Sequence, residues 1–223
     1  MSLIYEKGFG FEHGMREKGV GLIFIISAPS GTGKTTLVRE VIQQLPCLQF
    51  SVSFTTRLPR PNEKEGEDYH FVSHSTFQKM VEKNGFLEWA EVLGNRYGTP
   101  RPDFKKLESE GVDLILDVDT QGAKKVMKEI GQAILIYLLP PSLKVLKERL
   151  VNRGGDSLEM VKFRLSNARR DIEGAHGYHY VIVNDRMEDA VNKIRSIIIA
   201  ERCRRGKEMI LEENKREWEE RNG

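Results

Sequence analysis

The sequence predicts a doubly wound α/β fold with a parallel sheet of about five strands. Four short runs of Ile, Val and Leu lack polar alternation, which is typical of strands buried on both faces. They are residues 22–26, 112–118, 134–139 and 180–183, and residues 48–54 are a candidate fifth strand. The segments between the runs have helical apolar spacing, and this alternation of strand and helix indicates a parallel sheet covered by helices.

The predicted helices follow the strands in order. Their apolar residues recur at the spacing of one buried helix face, over residues 35–45, 123–130, 143–150 and 187–199. Two polar stretches, residues 53–105 and 142–171, interrupt the alternation, and we interpret them as insertions over one edge of the sheet. In the second insertion, Asp156 and Glu159 have the spacing of a capping box, so a helix is predicted to restart there.

Composition limits the classes of partner. Lys and Arg total 35 against 33 Asp and Glu, so a net charge of +2 gives no general argument for binding nucleic acid or a membrane. Cys47 and Cys203 lie far apart without metal-type spacing, which favours two structural thiols in a reduced protein. The first twenty residues lack a cationic start followed by an apolar core, so we expect a cytoplasmic protein.

Both ends of the chain are predicted to lie outside the packed domain. Residues 1–20 are rich in Gly and charge and are interpreted as a flexible arm. The stretch from residue 201 onward is mostly charged and predicts a solvated helix or a frayed tail. We therefore expect one domain over residues 21–205 and a charged tail over residues 206–223.

A phosphate-binding loop follows the first strand. Residues 27–36 read SAPSGTGKTT, which matches G-x-x-x-x-G-K-[ST] except that Ala28 replaces the first Gly. Ala can make that turn if its φ stays negative, and the alternative is a Gly-rich turn that binds nothing. Backbone N–H groups and a helix N-terminus would face a triphosphate. The predicted ATP-binding residues of this loop are Ala28, Pro29, Ser30, Gly31, Thr32, Gly33, Lys34, Thr35 and Thr36.

A second anion site is predicted downstream, in the stretch SVSFTTRLPR at residues 51–60. Arg57 and Arg60 are three residues apart, and guanidinium groups suit a phosphate monoester. Tyr69 and Tyr97 could add phenolic donors. The alternative is that the two arginines only pair with the acidic residues Glu63, Glu65 and Glu67.

With these motifs in view, the chain resembles the guanylate kinases from Ser27 to Asn184. The resemblance lies in SAPSGTGKTTL, SVSFTTRLPRPNEKEGEDYHFV, GFLEWAEVLGNRYGTP, LILDVDTQGA, LKERLVNRG and YVIVND. It implies a P-loop NTPase-type fold and direct in-line transfer of the γ-phosphoryl of Mg-ATP to GMP or dGMP, giving ADP and GDP. It also implies a core of residues 21–52, 106–141 and 172–205, a GMP-binding insertion at 53–105 and a lid at 142–171.

The resemblance assigns roles to the acceptor-site residues. Arg57, Arg60, Tyr69 and Tyr97 would hold the phosphate of GMP, while Ser53, Glu88 and Thr99 would face guanine. One carboxylate, here Glu88, can accept both donors of the guanine edge, whereas adenine presents an acceptor there. From the residues alone, Glu88 could equally be an exposed acid at the edge of a strand or helix.

The carboxyl ends of the strands supply further candidates. Asp119 would contact the GMP region, and Asp117 would lie near Mg²⁺ and the phosphates, with Thr35 offering its hydroxyl to the metal. One of the two acids could instead cap the next helix. Asn184 is expected to lie near ATP.

Catalysis is predicted to rest on positive charge. Lys34 would reach the β- and γ-phosphates, and Arg57 would align the acceptor. Arg149 and Arg153, four residues apart on one helix face, would close over the phosphates together with Arg164. Ion pairs with neighbouring acids are the alternative for these lid arginines.

Two other functions remain open from the sequence. One is a P-loop kinase for a different nucleoside monophosphate, and the other is a catalytically inactive guanylate-kinase-like module that binds proteins. The substrates expected as partners are ATP and GMP, without nucleic acid or membrane, and the sequence leaves monomer and homo-oligomer undecided.

Overall fold

The structure is a computed structural model, and it describes residues 20–61, 63–152 and 158–207, together with 211, 212, 215 and 218. The predicted arm, apart from residue 20, lies outside the described residues, as do Arg153, Asp156 and most of the predicted tail. The side chains of residues 158 and 169–171 lie outside them as well.

Strands and helices alternate along the described chain as the sequence predicts. The strands are β1 (Ile23–Ser27), β2 (Leu48–Ser51), β3 (Phe54–Thr55), β4 (His70–Phe71), β5 (Phe86–Val92), β6 (Asn95–Pro100), β7 (Asp113–Asp117), β8 (Ile134–Leu139) and β9 (Tyr180–Val183). The α-helices are α1 (Lys34–Gln44), α2 (His74–Glu82), α3 (Phe104–Glu110), α4 (Thr120–Ile130), α5 (Leu143–Asn152), α6 (Leu158–Glu173) and α7 (Met187–Arg205). A short 3₁₀ helix at Gly174–Gly177 precedes β9.

The main sheet has five parallel strands in the order β2-β7-β1-β8-β9, which confirms the predicted α/β class. β1 lies at its centre, between β7 and β8. The fifth strand was predicted over residues 48–54, but β2 ends at Ser51. The prediction is wrong at that end because Phe54 and Thr55 pair with β4 and β6 in a different sheet.

Helices cover both faces of the main sheet. On one face, Phe24 and Ile26 of β1 pack in a core cluster with residues of α1 and α7. On the other face, Ile23 and Ile25 pack with residues of α3 and α4. Successive residues of a strand point to opposite faces, so a strand buried on both sides needs the uninterrupted apolar run seen here.

One predicted doubly buried strand differs from this pattern. β9 lies at the edge of the sheet, where Val181 is 50% and Val183 is 45% exposed. Its apolar run resembles the central strands because Tyr180 and Ile182 pack against the core cluster on the inner face. The apolar run therefore predicts the strand correctly, but its prediction of burial on both faces is wrong, because the face with Val181 and Val183 is exposed.

A second sheet, in the order β4-β3-β6-β5, lies within residues 53–105. β5 and β6 form an antiparallel hairpin whose turn places Leu93 and Gly94 at positive φ, 52° and 76°. Helix α2 covers this sheet through Phe77, whose ring stacks on Phe86 with centroids 4.6 Å apart. This sheet has its own small aromatic core.

A buried ion pair fixes the end of α7. Arg202 Nε donates to Asp113 Oδ2 at 2.7 Å, and the other oxygen of Asp113 accepts from the backbone N–H groups of Val20 and Leu22, each at 2.8 Å. Glu201 and Arg202 are both buried. The prediction of a solvated segment from residue 201 is therefore wrong for these two residues, because a charged side chain can be buried where it is fully hydrogen-bonded.

None of the helices within the described residues is long and apolar enough to cross a membrane.

Replacing Arg202 by Met should lower the free energy of unfolding by about 3 kcal/mol, because Asp113 would remain buried without its counter-charge. Urea denaturation at neutral pH measures the loss. Arg204→Met is the matched control on the same helix: Arg204 is largely exposed and pairs with Glu201, so its removal should cost less than about 1 kcal/mol. Equal losses in the two variants would contradict a special role for the buried pair.

Candidate nucleotide-binding site

The loop between β1 and α1 has the strand, loop and helix context that the motif requires. Ser27 Oγ, at the end of β1, donates to Val118 O at 2.7 Å and so ties the loop to the end of the neighbouring strand. Gly31 and Gly33 lie at φ 91° and 94°, in the left-handed region. Ala28 is not among the described residues with positive φ, so it makes the turn without strain.

Hydrogen bonds hold the middle of this loop from two sides. Thr32 Oγ1 donates to Pro29 O at 2.7 Å. The backbone oxygen of Thr32 accepts from Asn184 Nδ2 at 2.8 Å and from Arg149 Nη1 at 3.1 Å. The predicted ATP residue Asn184 therefore uses its side-chain amide on the loop itself.

Lys34 and Asp117 meet at the mouth of the loop. Lys34 begins α1, Asp117 ends β7, and their side chains form an ion pair. Thr35 follows in the first turn of α1 and is exposed. The carboxylate oxygens of Asp117 and the hydroxyl oxygen of Thr35 are hard ligands of the kind that Mg²⁺ prefers. In nucleotide sites, phosphate and water oxygens complete its coordination. Within the described residues, no cluster of three or more His, Cys, Asp or Glu could hold a metal by itself.

The second anion site is assembled around Arg57. Its two terminal nitrogens donate to the two oxygens of Glu63, each at 2.9 Å, and its guanidinium lies 5.5 Å from the ring centre of Tyr69. Burial opposes the charged form of Arg57, but hydrogen bonds with Glu63 and Tyr97 outweigh it and raise its pKa. Tyr69 is held as a neutral phenol, since burial, with Asp117 nearby, raises its pKa to about 12.

Only one of the three acids proposed as partners pairs with the arginines in the structure. Glu63 also accepts from the backbone N–H of Arg60 at 2.9 Å, and its Oε1 lies 3.6 Å from the Arg60 guanidinium. Burial opposes its ionisation, yet these contacts lower its pKa. Glu65 instead pairs with His70, and Glu67 with Lys64.

Glu88 lies half-buried on β5, opposite Thr99 of β6. Thr99 Oγ1 donates to Glu88 Oε1 at 2.8 Å. Burial raises the pKa of Glu88, and the charge of Asp119 adds to the rise, while Thr99 and Lys125 act against it. The alternative of an exposed acid at an element edge is therefore wrong.

The N-terminus of α4 borders the Glu88 carboxyl. Asp119 caps this helix, accepting from Gly122 N–H at 2.7 Å, so the helix-cap alternative holds for this acid. A Cβ added to Gly122 would lie 3.2 Å from the Glu88 carboxylate. Ser53 is half-buried, and its carbonyl accepts from His70 N–H at 2.9 Å.

Two of the three predicted lid arginines reach the loop. Arg149, on α5, donates to the carbonyls of Thr32 and Asn184, at 3.1 and 3.3 Å. Arg164, on α6, donates to Ser30 Oγ at 3.0 Å. Arg153 lies outside the described residues.

A further contact fixes how α5 and the loop approach each other. A Cβ at Gly31 would lie 2.8 Å from Leu150 Cδ2, which shows how closely α5 packs on the loop. An ion pair of 2.9 Å between Arg39 and Asp68 joins α1 to the segment that precedes Tyr69.

The guanylate kinase family model matches residues 21–201 of this chain. The chain is 47% identical over 187 residues to a guanylate kinase of Geobacter sulfurreducens, covering 84% of this chain and 92% of that protein. It is 44% identical over 188 residues to one of Desulfitobacterium hafniense, covering 84% and 94%.

The fold agrees with the sequence comparison. The crystal structure of guanylate kinase from Anaplasma phagocytophilum superposes with a TM-score of 0.69 at 35% identity, covering 83% of this chain and 88% of that one. The chain belongs to the guanylate kinase family. It is thus an ATP:GMP phosphotransferase, and neither a kinase for another nucleotide nor an inactive binding module is favoured.

The sequence did not indicate three features of this guanylate kinase site. Glu63 was one of three possible partners for the arginines in the sequence, and the geometry of the loop decides which of the three pairs with Arg57. Gly122 gave no signal, because the space it leaves for Glu88 depends on two elements 34 residues apart in the chain. The loop contact of Asn184 links residues 152 positions apart.

Replacing Glu88 by Gln should raise the free energy of unfolding of the unliganded protein at pH 7. Its raised pKa means that the folded protein binds this proton more tightly than the unfolded chain does, so the ionised carboxyl destabilises the fold. The gain should be full above the raised pKa and vanish below the ordinary glutamate pKa.

Urea denaturation at a series of pH values measures this difference. The series runs from about pH 4, near the ordinary glutamate pKa, to about pH 8, above neutrality. Glu91→Gln is the control, because Glu91 is an exposed acid on the same strand. A gain that is the same at every pH would contradict the electrostatic cause.

Proposed function

We propose that ATP and GMP bind at the two anion sites described above for direct in-line transfer of the γ-phosphoryl group. The observation that carries the proposal is the position of Asp117. It forms an ion pair with Lys34 of the loop, and its charge also acts on Tyr69 of the second site. Asp117 therefore lies near both anion sites, and transfer between two bound phosphates requires the sites to be close together.

The donor half would be the loop and the start of α1. N–H groups at residues 30, 31 and 33–35 and the helix N-terminus would favour the triphosphate, and Lys34 adds a point charge. The N–H of Thr32 donates to Pro29 O at 3.2 Å instead. Mg²⁺ would be held by Thr35 and Asp117, partly through water, and when bound it would neutralise phosphate charge. The other residues of the proposed ATP site are Ala28, Pro29, Ser30, Gly31, Thr32, Gly33 and Thr36, together with Asn184, whose side chain holds the loop.

The acceptor half would be built on the second sheet. Arg57 is already aligned by Glu63, and with Arg60, Tyr69 and Tyr97 it would hold the phosphate of GMP. Glu88 would accept from the two donors of the guanine edge, and Ser53 would donate to its oxygen. Thr99 would also donate to that oxygen by turning its hydroxyl away from Glu88 Oε1. Asp119 caps α4 beside Glu88, which supports its proposed place in the GMP region.

The lid arginines would supply the remaining charge. Arg149 and Arg164 both contact the loop, so each is within reach of a triphosphate bound there. Arg153 is proposed to join them by its spacing from Arg149. The acceptor phosphate is itself an anionic nucleophile, so no covalent enzyme intermediate is needed.

The proposed domain division follows the same division of labour. Residues 53–105 would be the GMP-binding insertion and residues 142–171 the lid, on a core formed by the rest of residues 21–205. We also propose that the enzyme works in the cytoplasm, since both cysteines are free, as in proteins kept reduced.

Glu88→Ala should lower kcat/KM for GMP by about 100-fold or more, because the two guanine donors would lose their shared acceptor. Coupled ADP-release assays with GMP, dGMP, AMP, CMP and UMP measure it. Glu91→Ala, an exposed acid on the same strand, is the control and should match the wild type. The proposal fails if the Glu88 variant uses GMP normally or if the wild type turns over AMP as well as GMP.

Gly122→Ala should raise KM for GMP about five-fold and leave KM for ATP unchanged. The added methyl would lie 3.2 Å from the Glu88 carboxylate and 3.2 Å from Val118 Cβ, and the carboxylate, at the end of a longer side chain, would be displaced from the guanine edge. Ala is the better helix former by up to about 1 kcal/mol, and the tight contact with buried Val118 opposes that gain, so the free energy of unfolding should change by less than about 1 kcal/mol.

Gly177→Ala is the control for the added methyl group, since a Cβ there meets no atom within 4 Å. Steady-state kinetics and thermal unfolding are compared for both variants. An unchanged KM for GMP in Gly122→Ala would show that the carboxylate position is not set by this close approach.

A further inference from the structure

We propose that Asn184 is a positioning residue that orients the Thr32–Gly33 peptide, so that the Gly33 N–H points at the phosphates of ATP. This inference rests on the proposed role of the loop as the phosphate site. It gives Asn184 a function through the loop, in place of a direct contact with the nucleotide.

Asn184 is held firmly where it meets the loop. It is 4% exposed and directly follows β9. Its backbone N–H donates to Leu139 O at 2.8 Å, and its own carbonyl accepts from Arg149 Nη2 at 3.3 Å. Its side-chain amide then donates to Thr32 O at 2.8 Å. A short, buried side chain on a fixed backbone has little freedom, so it defines the position of that oxygen.

Peptide geometry transmits this position to the next residue. In a planar trans peptide, the C=O of one residue and the N–H of the following residue point in opposite directions. Within the described residues there is no cis peptide bond. Fixing Thr32 O toward Asn184 therefore turns the Gly33 N–H away from it, on the exposed side of the loop.

Nothing within the described part of the chain accepts a hydrogen bond from this N–H. An N–H that is aimed outward at a helix start is available to an anion.

Gly33 itself makes the contact possible. Its φ of 94° is in the left-handed region, and a Cβ there would lie 3.2 Å from Asn184 Nδ2. Any larger residue would be strained and would press on the amide. Gly33 and Asn184, 151 positions apart in the sequence, are thus one structural unit.

Arg149 also donates to Thr32 O, but its role differs. Its side chain is long and comes from α5, so it can leave the carbonyl to reach a phosphate, as proposed above. Asn184 would then hold the peptide alone. The orientation of the Gly33 N–H should depend on Asn184 in both the free and the nucleotide-bound protein.

Asn184→Asp tests the inference with almost no change in shape. A carboxylate cannot donate to Thr32 O and would repel it, so the peptide should turn and the loop should lose one phosphate donor. We expect binding of inorganic tripolyphosphate and of ATP to weaken at least about ten-fold, the size of one hydrogen bond to a charged group. KM for GMP should stay within about two-fold of the wild type, which a general loss of structure would not allow.

The direct readout is the ¹⁵N–¹H resonance of Gly33 in the full chain, followed during titration with tripolyphosphate. The wild-type resonance should move, and that of Asn184→Asp should not move at matched concentrations. Asn192→Asp is the control, because it makes the same chemical change at an exposed site on α7 and should behave as the wild type. If Asn184→Asp does not fold, Asn184→Ala, which removes the donor without adding a charge, is measured in its place.

The possible outcomes separate this inference from the proposed function. A wild-type resonance that does not move with tripolyphosphate would show that the loop is not the phosphate site. A resonance that moves equally in the wild type and the variant would overturn the role of Asn184. Weaker ATP binding with unchanged tripolyphosphate binding would also overturn it, since Asn184 would then act on the nucleoside part of ATP.

Discussion

The central position of β1 is the constraint on which the rest of the site depends. Because β1 runs parallel to β7 and β8, the carboxyl ends of these strands meet at one edge of the sheet. The hydrogen bond from Ser27 to Val118 joins two of those ends directly. The phosphate loop, Asp117 and Asp119 therefore arrive at the same edge, although about 90 residues separate the loop from the two acids.

Paired charges stabilise this edge of the sheet. Lys34 pairs with Asp117, and Arg57 pairs with Glu63 through both of its terminal nitrogens. A half-buried cation without a partner would destabilise the fold, so these pairs stabilise the positive charge at this edge. Arg149 donates to the backbone carbonyls of Thr32 and Asn184, and Arg164 donates to the hydroxyl of Ser30, so both arginines lie against the loop.

The charge of Glu88, unlike the ion pairs described above, disfavours the fold. Burial disfavours its charge, and Asp119 adds to that cost, so the free protein does not gain from its ionised form. The same burial would strengthen its hydrogen bonds to a bound guanine. The space for its carboxylate exists because residue 122 has no side chain, so a glycine on α4 controls an acid on β5.

The sequence by itself determined the α/β class, the alternation of strands and helices along the chain, the loop at residues 27–36 and the guanylate kinase resemblance. These follow from local apolar runs and short motifs, which tertiary contacts do not change. Only the tertiary structure decided that Glu63 is the partner of Arg57, that Asp119 caps α4 and that Arg202 is buried. It also placed Asn184 on Thr32. Each of these depends on which polar groups meet once distant segments pack, and spacing along the chain does not carry that information.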